Sequence, residues 1–315
     1  MTTQMKQTRQ GYVDALIELA PNHPHLVVLD ADVAKATKTC DFEEKFPAQF
    51  FNCGTAEQNE LSAAAGLALT GCLPFATTFA MFATTRACDQ LRNSICYPKV
   101  NVKVAGTHAG ITTGGDGASH QCNEDIAITR AMPNLTVLVP GDYEEARQAT
   151  LAAAKFIGPV YLRFGRDYYP VIPALHGEFE IGKAKMLRQG NDITLVSTGI
   201  MAHEILLAAD DLTAKGFSVR VLHYPTIKPL DTEPLIIAAR ETKGFVTAEE
   251  HNIYGGLGEA IAAAISSAGV PAIVRRIGVK DVFGESGHAP ELMDKYGLRA
   301  RDIVREALSI LNITE

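Results

Sequence analysis

One carboxylate, Glu57, stands ahead of a run of small residues at 61–68, and two phenylalanines, Phe79 and Phe82, close the apolar stretch that follows. Alanine favours helix and leaves little bulk, so a ligand or a second backbone can come close to such a run. An acid beside aromatic rings suits a flat heteroaromatic ligand, the rings giving stacking surface and the acid addressing a ring nitrogen. The same residues also suit a plainer arrangement, an acid favoured by a helix dipole and two core phenylalanines. A second group sits in residues 107–121, where His108, Asp116 and His120 are interleaved with Gly110, Gly114, Gly115 and Gly117. Glycines let a backbone bend tightly and approach a ligand. Histidine changes charge near neutrality, which fits hydrogen-bonding and proton transfer on a polyol phosphate. The spacing of these histidines and the aspartate matches no zinc pattern, so no metal site is expected from them.

These groups need elements to hold them. Residues 8–20 read as an amphipathic helix, with Arg9 in its first turn. Residues 25–33 read as a buried strand with Asp30 and Asp32 at its C-terminal end, where open α/β sheets present ligand-binding groups. Asp32 is equally suited to a turn. The helix of Glu57, a strand over Leu73–Phe79, a helix through Arg86, Asp89 and Arg92, and a strand at 101–106 come next. A strand at 135–140 leads to Asp142 and Glu145, which resemble a capping box opening a helix. A strand at 159–165 follows, with Arg163 and Arg166 near its end, where a cation beside the glycine-rich loop suits a phosphate. Pro173, Gly177 and Gly190 mark residues 171–191 as a linker between a unit at 1–170 and a second unit at 192–315. In the second unit strands and helices alternate again. The expected class is therefore α/β, two domains, each a mostly parallel sheet flanked by helices.

The segment Glu57-Gln58-Asn59-Glu60 with its alanine run, Thr77 to Phe82, Thr107-His108 and residues 115–121 (GDGASHQ) together resemble the C-terminal half of transketolases. The resemblance spans nearly the whole chain. It implies a pyrimidine-binding domain followed by a transketolase C-terminal domain, with thiamine diphosphate as cofactor. Glu57 would bond N1′ of the aminopyrimidine and favour the tautomer whose N4′ takes the C2 proton, which makes it catalytic. Phe79 and Phe82 would hold the pyrimidine, and Asp32 would approach the cofactor. Arg9, His108 and Arg166 would bind substrate phosphate, Asp116 a substrate hydroxyl, and His120 the donor while assisting proton transfer. The family's phosphate-binding serine is missing, and Lys35 or Thr37 stands near its place. Thr85 replaces a third pocket aromatic, and the run Arg86-Ala87-Cys88-Asp89-Gln90 is similar to deoxyxylulose-phosphate synthases.

Gly115-Asp116-Gly117 imitates the start of the family's diphosphate motif, but residues 141–147 (GDYEEAR) supply no asparagine to share Mg²⁺. The resemblance therefore implies a split enzyme. A separate N-terminal subunit would carry the diphosphate and Mg²⁺, in an α₂β₂ assembly moving a two-carbon ketol unit between sugar phosphates of the pentose phosphate type. The alternatives are a subunit of a deoxyxylulose-phosphate-synthase-like or 2-oxo-acid dehydrogenase E1β-like enzyme, or a non-catalytic partner subunit. Residues 249–251 (EEH) and the glycines after them are expected to be structural.

Composition agrees with a folded, acidic protein: 315 residues, 47% hydrophobic, net charge −7. No basic footprint suggests nucleic acid or an anionic membrane as partner. Six scattered cysteines without CxxC suit a reducing compartment, and residues 1–10 lack the apolar core of a secretory leader. The expected location is the cytoplasm.

Overall fold

The computed structural model describes residues 4–312 and contains two layered α/β units. The first is built on a seven-stranded sheet ordered Thr226–Lys228, Thr136–Leu138, Val160–Arg163, Lys103–Thr107, Leu73–Phe79, Leu26–Asp30, Phe50–Asn52. All of its neighbours run parallel except Thr226–Lys228. Its strands are short apolar runs because both faces are covered by helices. Val27 and Leu29 pack one way with Leu61, Ala64 and Leu91, while Leu26 and Val28 pack the other way with Tyr12, Leu16 and Ala149. On that second face the helix Thr8–Leu19 lies tightly on the helix Tyr143–Lys155. A Cβ on Gly11 would sit 2.1 Å from the Tyr143 carbonyl oxygen, so only glycine permits this approach.

The second unit has a five-stranded sheet ordered Ile273–Val279, Gly244–Asn252, Ile193–Ser197, Val219–His223, Lys185–Arg188. Its first four strands are parallel and the last is antiparallel. The closing helix Ala300–Ile310 buries Ile303, Val304, Ala307, Leu308 and Ile310 against that sheet. The 7-residue helix Ala289–Lys295 has too little periodic sequence to be read in advance.

Two expectations need correction. Residues 171–191 are not a free linker, because Lys185–Arg188 pairs with Val219–His223 and belongs to the second sheet. The segment 86–92 is not regular α-helix: Phe82–Arg86 and Gln90–Cys96 are π-helical turns, which widen the helix beside the candidate site. One strand of the second unit, Thr226–Lys228, crosses over to extend the first sheet. Residues 1–170 and 192–315 thus share a sheet edge as well as a seam.

Buried charge closes that seam. Glu145 accepts from Gly141 N, its Oε2 lies 2.8 Å from His223 Nε2, and its Oε1 lies 2.9 Å from Lys185 Nζ. His223 Nδ1 faces Ser197 Oγ at 3.0 Å. Burial alone would raise the Glu145 carboxyl, but His223 and Lys185 overcome it and hold it below the usual carboxylate range. Removing one member of a buried ion pair strands the others without water. Glu145→Ala should therefore lower unfolding free energy by about 3 kcal/mol, read from urea denaturation. A loss near zero would show that this contact does not join the units.

Candidate active site

In a parallel sheet the C-terminal ends of the strands share one edge. Register makes this concrete here: Asp30 lies opposite Thr77, Phe79 opposite Thr107, and Gly106 opposite Arg163. The side chains singled out by type and spacing emerge along that edge.

Phe79 and Phe82 form an offset pair with centroids 6.0 Å apart and planes 16° from parallel. The His108 ring stacks on Phe79 at 3.9 Å, and His120 meets both phenylalanines edge-on, at 6.0 and 5.4 Å. Glu57 heads the helix Glu57–Leu69 and is 2% exposed. It joins the ring group through Arg86, whose Nη1 lies 3.1 Å from Glu57 Oε2 and whose guanidinium covers the Phe82 face at 4.6 Å. A nearly dry acid beside a partly open aromatic wall fits the ring of an aminopyrimidine. Among the described residues no group of three or more His, Cys, Asp and Glu is placed to hold a metal ion.

His108 sits at φ 57°, a left-handed conformation costing a non-glycine residue roughly 1 kcal/mol. Thr113 Oγ1 donates to its carbonyl at 2.5 Å and helps fix the turn. Arg9 Nη1 lies 3.1 Å from His108 Nε2, and arginine has no acceptor. Nε2 is therefore the lone-pair nitrogen, and Nδ1–H donates to Thr107 Oγ1 at 2.9 Å. Burial first, then the guanidiniums of Arg9 and Arg166, push the imidazole down to about 3, so it is neutral at physiological pH. Neither ring nitrogen is left to face a ligand in this conformation. His108 Nε2 instead holds the Arg9 guanidinium in place.

Arg9 is buried, donates through Nη1 to Ala36 O at 2.7 Å, and keeps Nε without a described partner. Burial, then the nearby Arg166, lowers its pKa. Arg166 Nη1 donates to Thr113 O at 2.6 Å and lies 3.3 Å from Asp116 Oδ1. Two cations held this close favour an anion between them. They share a polar cavity of about 330 Å³ that includes Gln7, Thr113 and Gly114.

The remaining predicted residues differ in their surroundings. Asp32 is exposed at φ 65°, takes a hydrogen bond from Asn52 Nδ2 at 2.8 Å, and has no described contact with the ring group. Thr37 is buried and donates to Asp30 Oδ2 at 2.9 Å, so its hydroxyl is committed to the strand end, whereas Lys35 is exposed. His120 is half-buried with Nδ1 at 3.0 Å from Ser119 Oγ, and Asp116 is exposed.

Sequence reading missed what supports the glycine-rich loop. Glu250, from the second unit, accepts from Thr112 N at 2.6 Å, and Arg163 donates to the Glu250 carbonyl at 2.8 Å and to Asp125 Oδ2 at 2.8 Å. Strand-end acids at 249–250 were the available signal, but their partner lies 138 residues away.

Residues 4–171 match the family described as "Transketolase, pyrimidine binding domain", and residues 182–303 match "Transketolase, C-terminal domain". A protein described as a transketolase C-terminal section from Methanocaldococcus jannaschii is 46% identical, with 96% of each chain covered. A 6-deoxy-6-sulfo-D-fructose transketolase subunit, SqwH, from Clostridium sp. (strain MSTE9) is 41% identical over 95% of this chain and 92% of that one. A solved split gene transketolase, an inactive beta4 tetramer, superposes with a TM-score of 0.89 at 47% identity, covering 98% and 99% of the two chains.

Burial, the dominant influence, raises the Glu250 carboxyl to about 7 against an ordinary 4.5. A folded-state value above the unfolded one means a contribution to stability that is complete below about 4.5 and lost as pH rises through about 7. Glu250→Gln keeps an acceptor for Thr112 N but does not titrate. Its stability relative to the unsubstituted chain should rise by roughly 1–3 kcal/mol between pH 5 and 8 in urea denaturation. A difference that stays constant with pH would show that burial does not govern this carboxyl.

Proposed function

The chain belongs to the transketolase family, and from that premise we propose that it is the C-terminal subunit of a split, thiamine-diphosphate-dependent transketolase. With a separate N-terminal subunit it would transfer a two-carbon ketol unit from a ketose to an aldose sugar phosphate. One observation carries the reading. Residues 4–171 and 182–303 match the pyrimidine-binding and C-terminal domains, and within the first a buried acid, Glu57, stands beside an aromatic wall suited to a pyrimidine. The diphosphate and its Mg²⁺ then belong to the partner, and the cofactor lies between subunits in an α₂β₂ assembly. Likeness to a split gene transketolase whose beta4 form is inactive supports this division.

Thiamine diphosphate, when bound, supplies the carbanion chemistry of ketol transfer. Glu57 would hold N1′ of the aminopyrimidine, with Arg86 Nη1 paired to its Oε2 at 3.1 Å. Phe79 and Phe82 orient the pyrimidine, and their apolar rings exclude water from that side. Arg9 and Arg166 take the sugar phosphate, with His108 setting Arg9. Asp116 receives a substrate hydroxyl. His120, packed edge-on against both rings, donates to the substrate oxygen and moves a proton there. Asp32 borders the cofactor from the strand end. Six unpaired cysteines support a cytoplasmic setting.

Reconstitution with the N-terminal subunit tests this. The mixture should transfer ketol units and this chain alone should not. Glu57→Gln should lower transfer by about 10²- to 10⁴-fold while leaving the assembly's mass by light scattering unchanged. Turnover by the isolated chain, or a Glu57→Gln complex with near-normal rate, would overturn the assignment.

A further inference from the structure

The anion cavity is not closed by the first unit alone. Gly287, His288 and Ala289 of the second unit line it opposite Arg9 and Arg166. Contacts with the glycine-rich loop hold this segment there. Gln121 Nε2 donates to Glu285 O at 2.9 Å, and a Cβ on Gly117 would sit 2.7 Å from Ser286 Oγ. A Cβ on Gly114 would lie 3.2 Å from Gly287 O and 4.0 Å from Arg166 Nη1, so the His288 segment and the arginine meet across one glycine. His288 is exposed at the rim, with its backbone extended. Its imidazole makes no capping bond and has no described partner. Across the cavity, Arg9 Nε is buried and equally without a described partner. The acid in the wall, Asp167, spends Oδ1 on Tyr168 N at 2.8 Å, and Asp116 pairs with Arg166.

We propose that His288 is a specificity-determining residue of the second unit that donates a hydrogen bond to the terminal tetrahedral oxyanion of the sugar substrate. Arg9 and Arg166 bind that group from the opposite wall. The assignment rests on the anion-binding role given to those arginines above, and it extends the site across the seam. A phosphate and a sulfonate offer the same oxygens to such a donor. A phosphate monoester brings up to two negative charges and a sulfonate one, so the experiment compares the two sources.

Inorganic phosphate and inorganic sulfate would be titrated into the full chain, with affinity read by calorimetry and His288 followed as the imidazole proton signal missing from His288→Ala. The unsubstituted chain should bind phosphate, with sulfate weaker, and the His288 signal should move on saturation. His288→Ala should weaken phosphate binding roughly three- to tenfold, and His288→Lys, which restores a donor, should recover most of it. In the reconstituted enzyme His288→Ala should raise KM for a phosphorylated acceptor by a similar factor with kcat held, and leave an unphosphorylated acceptor unaffected. Equal phosphate affinity in His288→Ala, with Arg166→Ala still abolishing binding, would overturn the His288 assignment alone. No phosphate binding by the unsubstituted chain would overturn the anion-cavity reading and this assignment with it.

Discussion

A carboxyl removed from water sets the shape of the rim that carries the candidate site. Glu250 projects from the second unit under the glycine-rich loop and accepts the Thr112 N–H, while Arg163 grips its backbone carbonyl and the Asp125 carboxylate. The carboxylate fills the space over Gly110, where a Cβ would lie 2.3 Å from its Cδ. A loop of this composition has little intrinsic preference for one path. Its conformation is instead held from below, by a buried carboxyl that takes its hydrogen bond from the loop backbone. His108 at positive φ, the ring it lays on Phe79 and the arginine it aims all follow from that path.

The second unit is therefore more than packing. Residues 249–251 look structural in the sequence, and they are, yet what they structure is the rim itself. Glu249 accepts from Leu257 N and Gly258 N at the head of the helix Leu257–Ser267, so two adjacent acids serve opposite sides of one strand end. Alternation of side chains along a strand makes this division possible.

The fold was largely legible. Apolar runs of strand length alternating with helical periodicity gave the parallel sheets, since local pattern decides those elements. What local pattern cannot carry is a partner far along the chain. Asp142 and Glu145 read as a capping box, and Asp142 Oδ1 does accept Glu145 N at 2.8 Å. The Glu145 side chain leaves the helix, however, for Gly141 N and for His223, 78 residues on. Glu57 was legible as an acid heading a helix, but Arg86, its ion-pair partner 29 residues later, was legible only as part of a helix and of the run Arg86–Gln90. Asp30 and Asp32 illustrate the limit at closest range. Their types are identical and their spacing is two, yet only Asp30 points inward to Val33 N, Thr37 and Thr39.

The strand Thr226–Lys228, leaving its own unit to finish the sheet of the other, has a bearing on encounter with a second polypeptide. Stitched in this way, the two lobes are restrained against swinging about a hinge, and whatever docks on them meets contours largely formed beforehand. The ordering entropy has been spent before any collision takes place, which leaves more of the contact energy to appear as affinity.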